Sequence, residues 1–190
     1  PPAWDGASRI NILFIGLDAR DIGQVGPPRS DTLMLITIDP ISKTAGMLSI
    51  PRDMWVNIPG FGYSKINTAY FSGEGAQLPG GGPVLAMKTV SQFIGVPVDY
   101  YVEVDFNVFI ALVEELIDVT GCIQVYPTEK MELDPIGGGL DHVALTTGGY
   151  RDLCKGWIVL AYARNRHTSG GDVDRAKRQQ QILKSLQERI

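Results

Sequence analysis

Residues 10–17, INILFIGL, are a short apolar run rich in Ile and Leu, closed by the charged DARD and a Gly/Pro stretch. A run of that length between turn signals reads as a strand covered on both faces, in the middle of a sheet. Two further strands are expected at 31–39 (DTLMLITID) and 44–50 (TAGMLSI). They are joined as a hairpin by PISK, where Pro40 and Ser42 supply turn chemistry. A helix is expected at 83–94, with Pro83 in its first turn, Val84, Met87, Val90 and Ile94 at helical spacing, and Gly95 ending it. VDYYVEVD (98–105) reads as a strand. The stretch from Phe106 to Ile117 reads as an amphipathic helix capped by Asp105. Its buried side would carry Val108, Phe109, Leu112, Val113 and Leu116, with Glu114 and Glu115 outside. CIQVYP is another strand candidate, 127–152 is a long irregular stretch, and a last helix runs from about Asp172 to the end of the chain. Strands that alternate with helices, with one hairpin among them, give an α/β fold on a mixed sheet.

The 190 residues are 44% hydrophobic and 20% charged, which suits one domain with a full core, 1–190. The formal net charge of −4 argues against a protein that coats nucleic acid through its overall field, so any anion site must be local. No apolar run approaches the roughly 18 residues of a membrane span. The start, PPAWDG, is neither a signal peptide nor an initiation site, which points to a segment of a longer chain. Cys122 and Cys154 allow a single disulfide, worth about 3 to 4 kcal/mol in the chain-entropy account. Two buried thiols fit the spacing equally well. His142 and His167 lack metal-ligand spacing and read as surface or loop residues.

One stretch concentrates positive charge: ARNRHTSGGDVDRAKRQQ, residues 163–180, holds four arginines. On a helical wheel Ile182, Leu183, Leu186 and Ile190 form an apolar stripe, opposite Lys177, Gln181, Lys184 and Glu188. Arg175 and Gln179 lie on the apolar stripe, so their polar groups face inward, where an unpaired guanidinium is costly. An anionic ligand for Arg175 and Gln179 is the expectation. Arg178, at the stripe's edge, fits a structural ion pair as well as a ligand contact. Arg164 and Arg166, two apart in an extended segment, would point the same way, with Asn165 opposite, and SGGD would turn the chain into the helix.

Upstream, Arg29 and Asp31 (RSDT) and Arg52 and Asp53 (SIPRD) sit at strand ends, where α/β folds place ligands. Five arginines at element ends suggest a polyanion such as a pyrophosphate, because the guanidinium fork makes paired charge-assisted hydrogen bonds. Asp18 and Asp31 in the same places leave two readings open. Either they hold a divalent cation that a pyrophosphate completes, as magnesium prefers, or each pairs with a neighbouring arginine.

Taken in order, NILFIGLDAR, RSDTLMLITIDP, SIPRD, KINTAY, GVPVDYYVEVDF and YARNRHTSGGDVDRAKRQQQIL resemble the LytR-CpsA-Psr family of bacterial cell-envelope phosphotransferases, over nearly the whole chain. The resemblance implies a three-layer α/β/α sandwich with a central mixed sheet, and an extracytoplasmic catalytic domain on a single-pass N-terminal membrane helix. It implies transfer of a glycan phosphate from a polyprenyl-pyrophosphate carrier to a peptidoglycan hydroxyl, forming a phosphodiester. Pyrophosphate binding falls on Arg29, Arg52, Arg164, Arg166, Arg175 and Gln179, and Mg2+ (or Mn2+) on Asp18 and Asp31. An outward-facing domain also favours the Cys122–Cys154 disulfide. The family's lipid tunnel would draw its walls from FIALVEELI or VLAMKTVSQFI. A base for the acceptor hydroxyl stays unassigned between Asp31 and Asp53. The alternatives are a polyprenyl-pyrophosphate hydrolase and a non-catalytic module that binds lipid phosphate or wall polymer; nucleic acid is not an expected partner, since no aromatic residues interleave RNR and RAKR.

Overall fold

The structure is a computed structural model that describes residues 4–17, 27–134 and 142–188. Asp18, expected as a metal ligand, and Ile190 lie outside the described residues. The chain divides into two compact units, 1–105 and 106–190.

The first unit is built on a four-stranded mixed sheet of order β3-β2-β1-β6. Its strands are β1 (Ile10–Leu17), β2 (Ser30–Asp39), β3 (Thr44–Ile50) and β6 (Tyr100–Val104). β1 is internal, antiparallel to β2 and parallel to β6, as its apolar run requires. Its burial alternates, however: Leu13, Ile15 and Leu17 are buried while Ile12 and Phe14 are half-covered, so one face rather than both is fully buried. The β2–β3 hairpin is as expected, though its turn is held by Asp39, whose Oδ1 accepts from the N–H groups of Ile41 and Ser42, with Lys43 at φ +53. An Arg9 guanidinium beside Asp39 helps hold that carboxyl down at about 2.

Between β3 and β6 come β4 (Trp55–Ile58), β5 (Gly62–Lys65), α1 (Thr68–Gly75) and α2 (Gly81–Ile94). β4 and β5 form a hairpin of their own that the sequence pattern did not reveal. Its turn places Pro59 before Gly60 at φ +83, and the Phe61 N–H donates to the Ile58 carbonyl at 2.9 Å. That left-handed position is where a Pro-Gly turn needs glycine. Val56, Ile58, Ile66, Ala69, Tyr70, Leu85 and Val90 join β1 in one core.

The second unit holds α3 (Phe106–Thr120), β7 (Ile123–Val125), β8 (Met131–Leu133), β9 (Val143–Leu145), β10 (Arg151–Leu153), α4 (Gly156–Arg164) and α5 (Gly171–Gln187). The stretch 127–152 is therefore not simply irregular: it carries β8, β9 and β10, paired as β8–β9 and β7–β10. In α3 the buried side is rotated from the expected one. Val113 is buried and Phe109, Leu116 and Ile117 are half-buried, but Val108 and Leu112 are each 53% exposed. The cause is α4, which packs so closely that a Cβ at Gly156 would stand 2.6 Å from the Ile110 carbonyl oxygen. Helix packing, not apolarity alone, selects the face.

Cys122 and Cys154 are joined in a disulfide that ties the start of β7 to the end of β10. An intact mass under non-reducing conditions should be two protons lighter than the reduced chain. Reduction should cost about 3 to 4 kcal/mol of stability in denaturant unfolding; an unchanged midpoint would contradict a structural role.

Candidate functional site

In the first unit the candidate residues gather where β2 begins and β3 ends. Arg52 follows β3 in a turn closed by the Met54 N–H donating to the Pro51 carbonyl, and its own carbonyl accepts the Asn67 N–H at 3.2 Å. The Arg52 Nη1 donates to Asp31 Oδ1 at 2.9 Å, and its Nε stands 3.7 Å from Asp53 Oδ2. Lys65 Nζ donates to the other oxygen of Asp53, also at 2.9 Å. The KINTAY segment thereby gains a physical role that spacing could not disclose: Lys65 neutralises Asp53, Ile66 is core, and Asn67 braces the Arg52 backbone. Ser30 Oγ donates to the Asn67 carbonyl, fixing the first residue of β2 to the same brace. Arg29 is exposed, with its guanidinium 5.8 Å from the centre of the Phe71 ring.

The second unit carries the larger group. The expected buried stripe of α5 is displaced by part of a turn: Arg175, Arg178, Ile182 and Ser185 are the buried residues, and Leu183 and Leu186 are only half-buried. Gln181, expected in solvent, accepts a hydrogen bond from the Tyr162 hydroxyl at 2.9 Å and another from the Tyr126 N–H. Burial pushes the Tyr162 hydroxyl up to about 12.

Arg178 is the stripe's structural member. It is 3% exposed and donates to the Asn165 carbonyl and to Thr168 Oγ1, so it clasps the loop 165–171 to the helix. Burial lowers its pKa. Arg164 and Arg166 do not share an extended segment. Arg164 is the last residue of α4 and stacks 4.5 Å over the Phe106 ring. Asn165, at the helix end, is 6% exposed; its amide donates to the Glu132 carbonyl and its Oδ1 accepts the His167 N–H. Gln179 donates to the Ala163 carbonyl at 3.4 Å, so its amide ties α5 to the end of α4.

Arg166 and Arg175 are brought together. Arg166 Nε lies 3.4 Å and Arg175 Nη2 3.6 Å from one atom, Asp172 Oδ1, in the first turn of α5. These distances exceed the roughly 2.7–2.9 Å of a charge-assisted hydrogen bond. Two guanidiniums on one carboxylate oxygen at a helix N-terminus, where N–H groups and the helix dipole favour negative charge, form an arrangement suited to an anion richer in oxygen than a carboxylate. Asp172 was not apparent in the sequence as the shared partner, because acidic residues in a first turn ordinarily serve the dipole.

The two histidines are exposed, as expected, and both approach Asp134, at 3.3 Å for His142 and 3.9 Å for His167. No three His, Cys, Asp or Glu side chains among the described residues are grouped to hold a metal ion.

The LytR_cpsA_psr family model matches residues 4–190. The chain belongs to this family. It is 36% identical over 182 residues to the regulatory protein MsrR of Staphylococcus aureus (strain COL), covering 96% of this chain and 49% of that protein. It is 35% identical over 184 residues to the polyisoprenyl-teichoic acid–peptidoglycan teichoic acid transferase TagT of Bacillus subtilis (strain 168), covering 95% and 52%. The solved structure of the LytR-CPS2A-psr family protein YwtF (TagT) with bound octaprenyl pyrophosphate lipid is similar at a TM-score of 0.70 and 31% identity, over 97% of this chain and 66% of that one. The chain spans about half the length of the curated relatives it matches.

The loop that carries Arg166 is also pinned by carboxylates. Glu129 accepts from the Ser169 hydroxyl and N–H, which holds its carboxyl below the usual range. Burial raises Asp174, but the Gly170 N–H and Lys177 outweigh it and leave the group lowered. Carboxyls depressed by folding stabilise the fold above their ordinary pKa and lose that contribution as pH falls through the folded value. The amides of Ser169 and Gly170 should therefore lose protection from hydrogen exchange below about pH 4 relative to α5; equal protection down to pH 2 would contradict the clasp.

Proposed function

We propose that this chain is the catalytic part of a cell-envelope transferase that moves a glycan phosphate from a polyprenyl-pyrophosphate carrier to a peptidoglycan hydroxyl. The observation that carries the reading is the pair of guanidiniums, Arg166 and Arg175, on Asp172, in a chain similar to a named teichoic acid transferase and to a protein solved with a pyrophosphate lipid. On this reading Arg166 and Arg175 exchange part of their hold on Asp172 for diphosphate oxygens and stabilise the charge that builds on the departing polyprenyl phosphate. Arg164 adds positive charge from the end of α4, and Gln179 holds that end in place.

Arg29 and Arg52 are also read as phosphate-binding residues, with Asp31 and Asp53 setting the orientation of Arg52. The acceptor oxygen attacks the glycan-linked phosphorus, a phosphodiester forms, and the phosphoanhydride bond to the carrier breaks.

Magnesium or manganese fits the chemistry of Asp31, a half-buried carboxylate at the start of β2, because such ions combine one or two protein carboxylates with phosphate oxygens and water and need no all-protein cage. Asp31, with Asp18, would hold it, and the ion would supply neutralisation of phosphate charge. No helix among the described residues is long and apolar enough to cross a membrane. A single-pass anchor elsewhere in the protein and an extracytoplasmic catalytic domain are part of the proposal; the disulfide, which persists in oxidising compartments, supports the extracytoplasmic placement.

Replacing Arg175 with Lys keeps charge but loses the fork, and should lower transfer to a peptidoglycan fragment by about 10²–10³-fold with the unfolding midpoint nearly unchanged. In the same assay, excess chelator should suppress transfer. Undiminished transfer by R175K would reject the role given to Arg175, and release of lipid phosphate at equal rates with and without acceptor would reject the transferase reading in favour of a hydrolase.

A further inference from the structure

The β4–β5 hairpin has one face in the core and one in solvent. Val56 and Ile58 are 4% and 0% exposed, while the opposite face presents Trp55 at 67% and Tyr63 at 70%, with Phe61 exposed at the turn. The register pairs Trp55 with Lys65 and Asn57 with Tyr63, so the outward face alternates aromatic and polar along both strands. Trp55 and Tyr63 are diagonal neighbours, a relation that sets Cα atoms about 7–8 Å apart.

Large exposed aromatics rimmed by polar groups mark a binding surface. Its chemistry can be narrowed. The face is short, two four-residue strands, far below the roughly 800 Å² per partner of a stable protein interface. Its one cation, Lys65, is neutralised by Asp53, so it offers no attraction to anionic headgroups, which interfacial membrane faces draw on through lysine and arginine. What remains is an electrically neutral track of two flat rings with the Asn57 amide between them. This matches an uncharged sugar chain, whose C–H faces stack on aromatic rings while N-acetyl and hydroxyl groups pair with an amide.

The track is also continuous with the candidate site. Trp55 lies at the open end of the hairpin, where the Ile66 N–H donates to the Met54 carbonyl and Asp53 bridges Lys65 and Arg52, whereas Phe61 lies at the far tip. We propose that the outward face of β4–β5 binds the neutral glycan strand of the acceptor, with Trp55 and Tyr63 as stacking platforms and Asn57 as the amide contact, leading a sugar hydroxyl toward Arg52. That the sugar is the acceptor rests on the transferase reading; that the face binds sugar does not.

The test is a titration of the isotopically labelled protein with a neutral β-1,4-linked N-acetylglucosamine oligosaccharide, followed by amide NMR, in the absence of lipid and turnover. Shifts should concentrate at residues 54–65, and Trp55→Ala and Tyr63→Ala should each weaken binding at least tenfold. Both side chains point away from the core, so the variants should keep the dispersed spectrum of the wild type. No shift in the hairpin, or equal affinity in both folded variants, would overturn the proposal. So would hairpin broadening on phosphatidylcholine or phosphatidylglycerol vesicles without any response to the sugar, which would make the face a membrane contact. Because no pyrophosphate is present, this outcome is independent of whether Arg175 serves a carrier lipid.

Discussion

The second unit depends on how α5 buries two guanidiniums on the side it packs with. Arg175 and Arg178 occupy positions one turn apart where the rest of the stripe is Ile182 and Ser185, and a buried guanidinium without partners would be untenable. Arg178 donates its two terminal nitrogens to the carbonyl of Asn165 and the hydroxyl of Thr168, and doing so draws the loop after α4 against the helix. That loop carries Arg166. Its approach to Asp172, alongside Arg175, is thus a consequence of where Arg178 puts its hydrogen bonds, with Glu129 and Asp174 holding the loop's far side.

The first unit solves a related problem with different parts. Arg52 leaves β3 at a turn, and its orientation is set by Asp31 on the neighbouring strand and by Asp53 beside it. Lys65 on β5 then balances Asp53, and Asn67 takes the Arg52 carbonyl, so a hairpin and a helix start are committed to holding one arginine. The same hairpin turns its aromatic face outward. Lys65, which balances Asp53, shares that outward face with Trp55 and Tyr63.

Much of this was legible in the sequence, and the failures have physical causes. β1, the β2–β3 hairpin, α2 and α5 follow from periodicity and turn residues. α4 escaped notice because GWIVLAYAR is apolar all round, which erases the period that marks a helix. In α3 the first two turns beyond Asn107 are all apolar, from Val108 to Val113, so the wheel could not show that Gly156 of α4 would draw the Ile110 side inward and leave Val108 and Leu112 exposed. Three-residue strands such as β8 and β9 carry no alternation long enough to read. Arg175 was singled out because a charge on an apolar stripe is anomalous at the level of pattern. For Arg178 the sequence leaves a structural ion pair and a ligand contact equally open, and its partner is instead a main-chain carbonyl thirteen residues away, a group that leaves no mark on a wheel.

The most direct measurement is a crystal structure of the protein with a short-chain prenyl pyrophosphate. The account predicts diphosphate oxygens within about 3 Å of the guanidinium nitrogens of Arg166 and Arg175, with Asp172 moved off at least one of them. A diphosphate bound elsewhere, with both guanidiniums still resting on Asp172, would contradict it.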